Sequence, residues 1–144
     1  MLLSDLVNSG YKIEKDLNCA ETILYSANEV YNLGLDAQAL KLAAGFGGGM
    51  GVDTTCGALT GAVMVLSRIF TKEKAHATPR LKELCAEFLE EYRRQMGSID
   101  CKPLKDRYWT KRQECHAVIL RSAEIPEQLI AENQGAEAAV SLPA

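Results

Sequence analysis

Five cysteines, Cys19, Cys56, Cys85, Cys101 and Cys115, are the side chains of this chain best suited to chemistry. In a reducing compartment such residues serve as core packing, metal ligands or redox groups rather than as a disulfide framework. No two share the C-x-x-C spacing of a local metal site, and an odd count leaves at least one outside any paired or four-ligand set. Their places relative to helix starts separate them. Asn18 with Glu21 has the offset of a capping box, which makes Cys19 the first helical residue. Cys56 falls in the first turn of a helix from about Thr55, capped by Asp53 or Thr54. Cys101 follows a capping Asp100, and Cys115 lies about one turn into a helix opened by Thr110 and Gln113. Helix N-termini offer free N–H groups and a positive dipole end, and both favour thiolate. If these four starts converge, the product is a thiolate pocket suited to an iron–sulfur cluster or other thiophilic metal, or to dithiol/disulfide chemistry. Free cysteine is also a common packing residue. Cys85, in mid-helix on an apolar stripe, reads as core.

A glycine run, Gly45-Phe-Gly-Gly-Gly-Met-Gly51, leads into Cys56. It lacks the Gly-Lys-Ser/Thr of a phosphate loop, fits no G-x-G-x-x-G register and follows no strand. Gly47, Gly48, Gly49 and Gly51 are better read as a loop folded tightly beside Cys56, able to let a cofactor approach the backbone. His116 adjoins Cys115, but helix neighbours point about 100° apart, so a surface histidine is the simpler reading. Lys102, Lys105, Arg107, Lys111 and Arg112 surround Tyr108 and Trp109. They form either a docking patch for an acidic partner or, more simply in an acidic chain, a solvated face. No H-E-x-x-H or G-x-S-x-G is present.

The elements that must position these residues are helices. Apolar/polar alternation and hairpin turns are nearly absent, whereas capping signals are frequent. A first helix from Ser4 to about Asp16 is expected, then one from Asn18 to Gly34 and one from Asp36 into the glycine run. The helix from Thr55 to Phe70 pairs Gly57 with Gly61 and Ala58 with Ala62, a flat small-residue face for close packing. Thr78-Pro79 opens a long helix ending at Gly97, and Pro126 opens a last short one. The expectation is an all-α, compact single-domain bundle of about six or seven helices over residues 1–134, with a frayed tail over 135–144.

The chain has 144 residues, 47% hydrophobic and 24% charged, with a net charge of −3. That allows one domain with a core and gives no global basic footprint for nucleic acid. The longest apolar run, about Gly57 to Leu66, is too short and too glycine-rich to span a bilayer. The N-terminus has no secretion-signal pattern. A cytoplasmic protein without nucleic-acid or membrane partners is expected.

Read together, Asn18-Cys-Ala-Glu21, Ala43-Ala-Gly-Phe-Gly-Gly-Gly-Met-Gly51, Thr55-Cys-Gly-Ala-Leu-Thr-Gly-Ala62, Cys101-Lys-Pro-Leu104 and Cys115-His-Ala-Val118 resemble the C_GCAxxI_C_C family of suspected redox proteins. The resemblance covers roughly Asn18 to Ala123. A literal Gly-Cys-Ala is absent; the order is Cys56-Gly57-Ala58. The resemblance implies electron transfer or redox chemistry with an unspecified redox partner protein. A similar domain accompanies haem and a non-haem iron centre in split-Soret-type cytochromes. The matching cysteines are Cys19, Cys56, Cys101 and Cys115, and Cys85 has no counterpart. Covalent haem is not expected, because C-x-x-C-H is absent. The leading expectation is thus a redox protein with an iron–sulfur cluster or other metal on four cysteines. A metal-free dithiol pair such as Cys19–Cys56 is the second. A helical interaction module, with the small-residue face meeting a partner or a second copy in a homodimer, is the third.

Overall fold

The computed structural model describes residues 1–141, with side chains through 134; the tail expected over 135–144 lies outside the described side chains. Among the described residues there are eight α-helices and no strand: α1 (Leu3–Asn8), α2 (Tyr11–Lys15), α3 (Cys19–Tyr31), α4 (Ala37–Leu40), α5 (Gly57–Phe70), α6 (Pro79–Met96), α7 (Cys101–Tyr108) and α8 (His116–Ser141). The all-α bundle expected from the sequence is present, with more helices than expected. The first expected helix splits at Gly10, whose φ is +90°. Ser4 is not its cap: its hydroxyl and amide bind Glu127 and tie α1 to α8.

α5 is the central helix. Ala58, Leu59, Ala62, Val65 and Leu66 are fully buried on it. Its small face lies against α3, where a Cβ on Gly61 would stand 2.7 Å from the Ala20 carbonyl oxygen. Only glycine permits that approach, so the face reserved in the third expectation for a partner is already covered within the chain. α6 brings Leu84, Phe88 and Tyr92 to the core, and α8 brings Val118, Ile119, Ala123 and Ile130. Burying a side chain of this size stabilises by about 1.5–3 kcal/mol, which fixes α3, α5, α6 and α8 as one body.

Several boundaries differ from those expected. Asn18 and Glu21 make the full capping box, but α3 ends at left-handed Asn32 rather than Gly34. α5 begins at Gly57, so Cys56 itself takes the N-cap position. Asp100 stands at the N-cap of α7 without a side-chain cap bond. Thr110 Oγ1 does accept the Gln113 N–H, yet it closes a turn and not a helix. α8 starts only at His116, and Pro126 lies inside it.

Candidate functional site

Cys19 and Cys101 are the first residues of α3 and α7, and Cys56 and Cys115 directly precede α5 and α8. All four line one cavity of about 210 Å³, together with Gly48, Gly57, Leu104, Lys105, Trp109 and Val118. Cys85 lies elsewhere, half-buried against the core on α6.

Two backbone devices bring the thiols together. Thr55 and Asp100 form an isolated antiparallel bridge. Around it the Cys56 N–H donates to the Ile99 carbonyl at 2.9 Å and the Cys101 N–H to the Thr54 carbonyl at 2.6 Å. The bridge sets the start of α7 beside the start of α5. The second device is the glycine loop. Asn18 Nδ2 donates to the Ala44 carbonyl at 3.0 Å, which holds the loop against the start of α3. Gly49 has φ +60°, and a Cβ there would meet Thr54 N at 2.5 Å and Cys101 Cβ at 2.8 Å. The loop therefore passes directly under Cys101. Of the loop glycines singled out in the sequence, Gly48 lines the cavity and Gly47 a neighbouring vestibule. Gly49 is buried beneath Cys101, and Gly51 lines neither.

The thiols are not equivalent. Burial pushes the Cys56 thiol up to about 11, although the N–H groups of Ala58 and Leu59 pull the other way. Those groups act at a distance, since the sulfur makes no cap hydrogen bond of ordinary geometry. Cys19 and Cys115 line both the cavity and its vestibule, close enough for each thiol to act on the other's proton. Cys19 is held above the ordinary thiol range, first by Cys115 and then by burial. Cys115 is lowered to about 7, first by Cys19 and then, against burial, by Lys105 and Lys12. Cys101 is raised by burial, with Lys105 opposing and the Asp53 carboxylate adding to the rise. Among the described residues no group of three or more His, Cys, Asp or Glu side chains is arranged to hold a metal ion.

The vestibule, about 260 Å³, shares Cys19, Gly48, Trp109 and Cys115 with the thiol cavity and adds Lys12, Asn18 and Glu114. Lys12 and Glu114 were not singled out in the sequence, and nothing in their spacing marks them; Asp53, expected as a helix cap, instead faces Lys105. Lys105 was read as surface, but it stands four residues after Cys101, on the same helix face. His116 is turned to Asn8 Oδ1 at 2.9 Å and does not line the cavity.

Residues 17–129 match the family described as "Putative redox-active protein (C_GCAxxG_C_C)". The chain belongs to that family. Its central motif ends in Gly rather than Ile; Gly61 stands three residues after Ala58, where α5 meets Ala20. No curated protein and no solved structure matches the chain. No helix among the described residues is long and apolar enough to cross a membrane.

Proposed function

We propose that this redox-active protein carries electrons through an iron–sulfur cluster held by Cys19, Cys56, Cys101 and Cys115. The observation that carries the reading is the convergence of four thiols from four separate helix starts on one cavity. The residues fit such a group. The donors are all soft sulfur, the other walls apart from Lys105 are apolar or backbone, and Gly49 keeps a Cβ out of the floor. Ligands of a single zinc lie about 2.3 Å from one point. The four thiols line one cavity, and among the described residues no three of them are arranged around one ion. An iron–sulfur cluster supplies one-electron chemistry when bound. The chain's part is to hold four anionic sulfurs: Lys12 and Lys105 offset their charge, the N–H groups at the start of α5 face Cys56, and Leu104 and Val118 exclude water.

The test is anaerobic reconstitution with ferrous iron and sulfide. A brown protein with matching iron and sulfide, lost when any of the four cysteines becomes Ser, is the expected result. A preparation that stays colourless and binds no iron overturns it.

Of the four thiols, Cys19 and Cys115 line both the cavity and the vestibule, and that shared position favours a second, metal-free reading. The Cys115 thiolate attacks a partner's disulfide and releases one partner thiolate. Cys19 then attacks Cys115 Sγ, passing its proton to the second leaving thiolate. A Cys19–Cys115 disulfide and a reduced partner dithiol result, two electrons having moved to the partner. This pairing replaces the Cys19–Cys56 pair expected from the sequence. Loss of two titratable thiols on oxidation, with Cys19 and Cys115 linked in a peptide map, supports it; an unchanged thiol count sinks it.

A further inference from the structure

The mouth of the thiol cavity carries a surface that redox chemistry at the sulfurs leaves unused. Lys105 lines the cavity and Lys12 the vestibule. Between them Trp109 walls both and remains 48% exposed. The glycine loop, whose Gly48 lines both spaces, presents Met50 and Val52 to solvent at 47% and 70% exposure. The turn closed by Thr110 and Glu114 starts one residue after Trp109 and ends one before Cys115. It adds exposed Lys111 and Arg112.

Among the described residues two carboxylates pair with these four cations, at the outer edge of ion-pair distance: Glu114 lies 3.7 Å from Lys12 and Asp53 3.9 Å from Lys105. The rim is thus net positive in a chain of net charge −3. Acidic side chains gather instead in a groove between α6 and α8, lined by Glu87, Glu90, Glu91 and Glu132. Arg107 and Tyr108, which the sequence groups with the basic cluster, turn away and bind the Met96 carbonyl at the end of α6. What remains is an apolar spot ringed by cations at the opening of the site, the composition of a docking surface.

We propose that this rim docks an electron-transfer protein whose own redox centre is ringed by carboxylates. The inference rests on the redox reading above and names the class of partner. It also makes a prediction opposite in sign to that from the whole chain. A body of charge −3 repels an acidic partner, so added salt would strengthen the encounter; a local cationic rim makes added salt weaken it.

Trp109 is the only tryptophan, so its fluorescence reports the rim directly, whether or not the site is loaded. The experiment titrates the protein with a plant-type [2Fe–2S] ferredoxin as the acidic probe and with a basic cytochrome c as the opposite probe. Ionic strength is set at about 0.01 M and about 0.15 M, where the Debye length falls from about 30 to about 8 Å. The expected result is ferredoxin binding that weakens with salt and falls roughly tenfold in Lys111→Glu/Arg112→Glu. Val52→Asp should weaken it further, and cytochrome c should bind the double variant better than the wild type. Circular dichroism confirms that the variants fold. No ferredoxin binding at low salt, binding strengthened by salt, an unchanged double variant, or tighter binding of cytochrome c by the wild type each overturns the proposal. So does a fluorescence change with protein concentration alone, which would make a second copy the occupant. Iron content and thiol counts, measured separately, report on the redox reading, so its failure is distinguishable from failure of docking.

Discussion

Thr55 and Asp100 pair as an isolated antiparallel bridge, and each is followed by a cysteine of the site. Cys56 N–H and Cys101 N–H donate across it to Ile99 and Thr54. In a molecule otherwise built of helices, two backbone bonds thus hold the starts of α5 and α7 side by side. Gly49 lies beneath this clamp, in contact with both Thr54 and Cys101.

Gly49→Ala should therefore damage the site through the backbone. The new Cβ would strike Thr54 and Cys101 at a residue whose φ is already +60°. The expected cost is about 1–3 kcal/mol, seen as a lower melting temperature. Iron uptake on reconstitution should fall as well. A variant of wild-type stability and iron content would show that the loop can move without disturbing Cys101.

Gly61→Ala should cost stability without altering the thiols. Alanine gains about 1 kcal/mol of helix propensity. Against this stands a methyl group 2.7 Å from the Ala20 carbonyl oxygen and 3.2 Å from Ile23 Cβ. Overpacking of this kind costs about 1–3 kcal/mol, so net destabilisation is expected in thermal unfolding. A stabilised variant would mean that α3 and α5 separate freely.

Cys115 should be the thiol alkylated fastest at neutral pH in the metal-free, reduced protein. Its pKa is lowered from 9.0 to about 7, and only the thiolate reacts. The rate should rise with pH and reach half its plateau near pH 7. Cys56, raised to about 11, should react only in stronger base. Cys19→Ala removes the first cause of the lowering, so the Cys115 midpoint should move upward. Peptide mapping after iodoacetamide pulses at stepped pH reads both. A midpoint unchanged in Cys19→Ala would show that Cys19 does not act on the Cys115 proton.

Cys85→Ala separates packing from chemistry. Cys85 is half-buried, its thiol is raised by burial alone, and it lines neither the cavity nor the vestibule. The expected cost is about 1 kcal/mol, with iron uptake and thiol oxidation at the other four unchanged. Loss of either signal would bring Cys85 into the site.

Much of this molecule was legible because helices are written locally. The Asn18–Glu21 capping box, the Asp36 cap, Pro79 at a helix start and Gly97 at an end are short-range patterns, and each lies where the chain uses it. The same local logic placed four cysteines at helix starts and Cys85 in mid-helix. It failed where the competing force was not local. Thr110 and Gln113 have the spacing of a helix start, but their bond closes a turn. Pro126 has the look of a first helical residue, yet α8 continues through it while Ile119, Ala123 and Ile130 stay buried on either side.

By itself the sequence determined that the chain is helical, that its thiols sit where backbone N–H groups are free, and that small residues line one face of α5. Those properties follow from spacing of a few residues and from which side chains can cap or pack. Only the tertiary structure decided which thiols meet. It brought Cys19 and Cys115 to the same two spaces, set Cys56 beside Cys101 through the Thr55–Asp100 bridge, and brought Lys12 and Lys105 to the mouth. It also closed the small face of α5 against α3 instead of leaving it to a partner. The physical reason is the same in each case. A pairing between distant segments is set by how whole helices bury their apolar stripes, and no window of a few residues contains that information.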